Sequence, residues 1–156
     1  MTAAAAKPLL IGIGNVLRAD DGAGYRLAEQ LLEPQPQGWE VLPCHQLTPE
    51  LASAVAQASR VLFVDACMEL ASDGRRHGLH PLQAATSASG RNAISHGLQP
   101  EQLLSLSQQL YGHCPPASLL LLPGRCWGHS DQLSAETAQA LAEALPIVER
   151  WRQGDA

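Results

Sequence analysis

The chain predicts an α/β fold, with one parallel or mostly parallel sheet and helices on both faces. Three observations lead there. Short, wholly apolar runs such as "LLIGIG" (9–14) and "RVLFVDAC" (60–67) read as strands buried on both faces. Segments of helical spacing separate these runs, so strands and helices alternate along the chain. The chain has 156 residues, 46% apolar and 16% charged, which suits a single domain around one core. The extreme ends, 1–6 and 153–156, are expected to be flexible.

The elements follow in order. "LLIGIG" is the first strand. From Asp20 the pattern turns helical, with Ala23, Leu27, Leu31 and Leu32 on one stripe, and it stops before "EPQPQG" (33–38). "WEVLPC" (39–44) alternates as a second strand. "TPELASAVAQAS" (48–59) reads as a helix with Thr48 as N-cap, Pro49 at the first position and Glu50 in the first turn. "RVLFVDAC" is a third strand, "SDGRRHG" (72–78) a loop, and "LHPLQ" (79–83) a weak strand. "TSASGRNAISHG" (86–97) is small and polar and is expected to be mobile. "QPEQLLSLSQQLYG" (99–112) is a helix with Pro100 near its start and Gly112 at its end. "CPPASLLLLPG" (114–124) holds another buried strand. The last helix runs from Ser134 to about Trp151, with Pro146 as a possible kink. No internal repeat is present.

Composition excludes some classes of function. The formal charge is −5, and the ten Lys and Arg are scattered apart from Arg75 and Arg76. Nucleic-acid binding would need a basic patch. No run is long enough to span a membrane, and "TAAAAKPLLIGIG" makes a poor secretory signal, so a cytoplasmic location is expected. The four cysteines, Cys44, Cys67, Cys114 and Cys126, form no CxxC pair and are expected to be reduced thiols.

In a parallel sheet the reactive crevice lies beyond the carboxyl ends of the strands. Three chemically able residues fall there. Asp21 follows the first strand within "GIGNVLRADDGAG" (12–24), Asp65 closes "VLFVD", and His96 sits in the loop before "QPEQLL". The first loop is a poor dinucleotide site, because G-x-G-x-x-G would need glycine where Leu17 stands and two aspartates would repel phosphate. Asp20 fits an N-cap of the helix that follows, which leaves Asp21 as the surplus carboxylate. Asp65 alone could bond loop amides, and His96 alone could be an ordinary surface histidine. Together the three make an oxygen, oxygen and nitrogen set suited to nickel or zinc with positions left open. G-x-S-x-G is absent, Ser95 beside His96 makes no triad, and Cys67 reads as an inert core thiol.

The loop "GIGNVLRADDGAG" resembles the G-x-G-N-x-L-x-x-D-[DE]-x-x-G signature of the hydrogenase maturation proteases. "VLFVDAC" resembles that family's second element, and "SHGLQPEQLL" (95–104) its third, in the same order and spacing. "QLSAETAQALAEAL" is similar to its closing helix, so the likeness extends over nearly the whole chain. The resemblance implies a three-layer sandwich around a twisted sheet of about five strands. It implies a hydrolase, an endopeptidase that removes the C-terminal extension of a nickel-loaded nickel–iron hydrogenase large-subunit precursor. Asp21, Asp65 and His96 fall on its metal-contacting and catalytic positions, with Gly14, Asn15, Asp20 and Gly24 as the supporting loop. Nickel would come from the substrate, no organic cofactor would be needed, and the protein would be a monomer. A non-catalytic nickel checkpoint and a small-molecule metallohydrolase are the alternatives.

The segment "PGRCWGHSDQ" (123–132) fits no pattern of that family. It leaves a rival zinc site open, built from His113, Cys114, Cys126 and His129, with Trp127 as a half-buried aromatic or a partner contact.

Overall fold

A computed structural model describes residues 5–68, 77–85 and 97–154. Five strands, β1 (Pro8–Ile13), β2 (Glu40–Cys44), β3 (Arg60–Cys67), β4 (Gly78–Leu82) and β5 (Ala117–Pro123), form one sheet in the order β2-β1-β3-β5-β4. Every pairing is parallel except β4 with β5, which is antiparallel. The expected mostly parallel sheet is therefore present, and the weak strand near 79–83 is its antiparallel edge. Four helices complete the sandwich: α1 (Ala23–Leu31), α2 (Leu51–Gln57), α3 (Pro100–Tyr111) and α4 (Ala135–Gln153).

Strand periodicity divides the core in two. Leu9, Ile11, Val61, Phe63, Leu119 and Leu121 point to one face, where Ala52 and Val55 of α2 and Leu103 and Leu104 of α3 cover them. The alternate residues Leu10, Leu62, Val64, Leu120 and Leu122 point to the other, beneath Leu27 of α1 and Leu141, Val148 and Trp151 of α4. The central strands are thus buried on both sides, as their unbroken apolar runs require.

The helix ends show how local sequence sets the boundaries. Gln99 caps α3 reciprocally with Gln102, and Gly112 ends it in the left-handed conformation, φ 72°. Ser134 caps α4 by accepting from the Thr137 amide at 3.3 Å. Arg60 closes the other end, its guanidinium donating to the Arg152 carbonyl at 2.6 Å and lying 5.2 Å from the Trp151 ring centre. The helix passes through Pro146 without a break.

Two expectations need correction. The second helix does not start at Thr48. Residues 48–50 form a turn, in which the Thr48 and Pro49 carbonyls accept from Leu51 and Ala52, and the Thr48 hydroxyl is taken by Glu50. Asp20 does not cap α1 either, since a 3-10 turn over Ala19–Gly22 precedes that helix and its side chain is directed elsewhere.

Helix α1 lies unusually close to the sheet at Gly24. A Cβ there would sit 2.3 Å from the Val64 carbonyl oxygen and 2.4 Å from that of Ile13. Backbone cannot yield as a side-chain tip can, so Gly24→Ala is expected to destabilise the fold by about 3 kcal/mol. Gly128 has no atom within 4 Å of such a Cβ, so Gly128→Ala serves as the neutral control in urea denaturation.

Candidate active site at the carboxyl edge of the sheet

The chain runs from β1 outward to β2 and then returns to β3 on the opposite side of β1. The carboxyl ends of β1 and β3 therefore lie side by side with their loops diverging, which is the switch point where parallel sheets open a crevice. A cleft of about 340 Å³ lies there, and Asn15, Arg18, Asp21, His45, Asp65 and Leu98 are among the residues that line it.

The first loop is bent back on itself. A Cβ on Gly14 would lie 2.1 Å from the Asp21 carbonyl oxygen, so only glycine permits the return. The fold-back brings the Asp21 carboxylate to the Asn15 amide, which donates to it at 3.1 Å. The Asn15 side chain in turn accepts from the Leu17 amide at 3.0 Å. Gly14 and Asn15 thus act as loop-shaping residues, and Asp21 is held at the cleft wall.

Asp20, its neighbour, is turned inward and is fully buried. One carboxylate oxygen accepts from the Ser134 amide at 2.7 Å. The other accepts from the Arg125 amide at 2.8 Å, the Cys126 amide at 2.9 Å and the Ser134 hydroxyl at 2.8 Å. Burial pushes this carboxyl upward, but the four donors outweigh it and hold the group at about 2. The Asp20 amide donates to the Cys126 carbonyl at 3.0 Å, and Ala19 and Ser130 are paired alongside. Asp20 therefore ties the acidic loop to the segment after β5 and to the start of α4. Its role is structural, and it caps a helix more than a hundred residues away in sequence rather than its own.

Asp65 projects from the end of β3. Burial pushes its carboxyl up to about 7 from an ordinary 3.8, the Ala66 amide at 2.8 Å pulls it down, and the charge of Asp21 pushes it up again. Two carboxylates that feel each other's charge in one cleft make a hard-oxygen pair, which a divalent cation would relieve. Cys44 stands close enough for Asp65 to act on it. Burial first and that charge second hold its thiol up at about 11, so it carries no thiolate.

His96 lies outside the described residues. The two residues that follow it do not. Gly97 faces the Gln46 side chain, and Leu98 pairs with Leu47 and lines the cleft. Among the described residues no three His, Cys, Asp or Glu side chains gather closely enough to hold a metal. The rival zinc site is thereby overturned. His113 and Cys114 precede β5 while Cys126 and His129 follow it, so the length of a strand separates the two halves. The segment 123–132 acts instead through its backbone, as the cradle for Asp20.

His45 was not singled out by the sequence reading, although it meets the same positional test: it follows β2 directly. Its ring stacks on Tyr25, with centres 5.1 Å apart and planes 10° from parallel, and its Nδ1 lies 3.3 Å from the Gly14 carbonyl oxygen.

No family model and no curated protein matches the sequence. Solved structures do share the fold. The NiFe hydrogenase maturation protease HycI of Thermococcus kodakarensis superposes with a TM-score of 0.72 at 19% identity, over 97% of this chain and 95% of that one. The hydrogenase maturating endopeptidase HybD of E. coli gives 0.65 at 18%, over 95% and 93%. The hydrogenase 2 maturation peptidase of a Thaumarchaeota archaeon gives 0.64 at 21%, over 96% and 99%. The chain therefore has the α/β fold of the hydrogenase maturation proteases from end to end.

Asp20 and Asp65 carry opposite expectations. Asp20→Asn places an amide N–H against a nest of donors and should cost about 3 kcal/mol in urea unfolding. Asp65 has a folded-state pKa above its unfolded one, so the stability from its extra proton is full below 3.8 and is lost as pH rises through about 7. Asp65→Asn keeps the Ala66 bond and sheds the charge. It should raise the unfolding free energy at pH 8 by an amount on the order of 1 kcal/mol, seen as a higher melting temperature, and leave both nearly unchanged at pH 4.

Proposed function

We propose that this chain is an endopeptidase that removes the C-terminal extension of a nickel-loaded nickel–iron hydrogenase large-subunit precursor. The observation that carries the proposal is the coupled pair Asp21 and Asp65 at the switch point of this fold. The names of the three structural neighbours described above, each a maturation protease or peptidase, support the reaction class. A protein substrate also suits the rim. Leu17, 65% exposed, follows β1, and Met68, 64% exposed, follows β3 on the same edge.

In this reading the nickel is part of the substrate. Asp21 and Asp65 offer it oxygen ligands and His96 a nitrogen, so a metal-loaded precursor is held and an empty one is not. Nickel as a Lewis acid adds chemistry that none of these side chains has. The protein's own part is to seat the precursor so that the bond before the tail reaches the cleft, where water attacks. Arg18 lines the same cleft and offers donors to the substrate carbonyls. Cys44, whose thiol feels the charge of Asp65, is held neutral and offers no thiolate. Cytoplasmic location and a monomeric state belong to the same proposal. No helix among the described residues is long and apolar enough to cross a membrane.

The test follows the fate of the tail. Asp21→Asn, Asp65→Asn and His96→Ala are each expected to abolish release of the C-terminal fragment from the nickel-loaded precursor, read by intact-mass spectrometry, while the variants remain folded by circular dichroism. Full cleavage by Asp21→Asn would remove that residue from the site.

A further inference from the structure

We propose that His45 is the general base of the cleft, taking the proton of the attacking water and returning it to the leaving amine. The proposal rests on the endopeptidase reading and adds the residue that moves the proton.

Three side chains among the described lining of the cleft carry an atom that can serve as a proton acceptor in general-base chemistry: Asp21, Asp65 and His45. In the endopeptidase reading both aspartates are committed to the metal. His45 is the acceptor left over. Among the described residues no three donors gather as a metal group, so His45 completes no ligand set with the two aspartates. Its imidazole therefore shares the cleft without closing on the metal.

The geometry sets the tautomer. A carbonyl oxygen can only accept, so the Nδ1 beside the Gly14 carbonyl, at 3.3 Å, must carry the hydrogen. That leaves Nε2 with a free lone pair. The Tyr25 ring, stacked at 5.1 Å, fixes the plane in which the lone pair lies. Base, orienting carbonyl and stacking ring thus form the arrangement in which a histidine is poised by a second group. The residue is exposed, so water reaches it. Gly14 has a second task here: its backbone both folds the acidic loop back and holds the base.

The step balances without a further reactant. Water oxygen bonds to the scissile carbonyl carbon as one of its protons passes to His45 Nε2. The carbon–nitrogen bond then breaks, and Nε2 delivers the proton to the departing nitrogen. The products are a carboxylic acid at the new C-terminus and an amine on the tail, with the imidazole neutral again, and the acid proton then passes to the amine to leave a carboxylate and an ammonium.

The experiment compares wild type, His45→Gln and His45→Ala on the nickel-loaded precursor. Affinity for the precursor is measured separately from the rate of tail release at saturation. Both variants are expected to bind within about threefold of wild type and to release the tail about 100-fold or more slowly. Added imidazole, at a concentration that leaves the wild-type rate unchanged, is expected to restore a measurable part of the rate to His45→Ala. Release within about threefold of wild type by either variant would overturn the proposal. So would a defect confined to binding, or a folded His45→Ala that binds precursor and gains nothing from imidazole. If wild type itself releases no tail, the endopeptidase reading fails first and the assignment of His45 falls with it.

Discussion

One buried carboxylate organises the working edge of this molecule. Asp20 gathers three backbone amides and a hydroxyl, contributed by the segment after β5 and the N-cap residue of α4. Through Ser134 the network reaches Thr137, whose hydroxyl donates to the Pro123 carbonyl at the end of β5 at 2.8 Å. A single side chain thereby fixes the first loop relative to a strand and a helix on the far half of the sheet. Asp21, the next residue, is aimed at the cleft only because Asp20 is anchored behind it. The positive φ of Ala19, 50°, is the local strain that this anchoring sustains.

Asp20 and Asp65 illustrate how environment divides labour between like groups. Asp20 is surrounded by donors and is held ionised far below neutrality. Asp65 has one amide donor, a buried setting and a second carboxylate nearby, and it is held near neutrality. The first arrangement stabilises the fold. The second stores unfavourable electrostatic energy at the site, where a cation can release it. In the proposed function, binding of a metal-bearing substrate would draw on that stored energy.

Much of the fold was legible in the sequence because the central strands obey strong rules. β3 runs over the expected residues 60–67, since an unbroken apolar run bounded by polar residues has few other uses. α3 was legible from Pro100 and Gly112, which mark its two ends chemically. α2 was not, because Thr48 and Glu50 satisfy each other and leave the helix to begin at Leu51. Within the site, Asp21 and Asp65 were legible by their position after strands. The role of Asp20 was not, since its partners are backbone amides of residues 125, 126 and 134 and no side-chain pattern announces them. The same is true of segment 123–132, whose cysteine and histidine suggested a metal while its amides do the work. His45 carried a usable signal, namely its place directly after β2, but a lone histidine in "PCHQLT" has no motif to distinguish it.

The central claim is that the acidic cleft reads the metal in its substrate. Intact-mass spectrometry of the cognate precursor, nickel-loaded and nickel-free, each incubated with wild-type protein, tests it most directly. Loss of a C-terminal fragment from the loaded form alone is the expected result. Equal trimming of both forms would contradict the claim, because the cleft would then cut without regard to the metal.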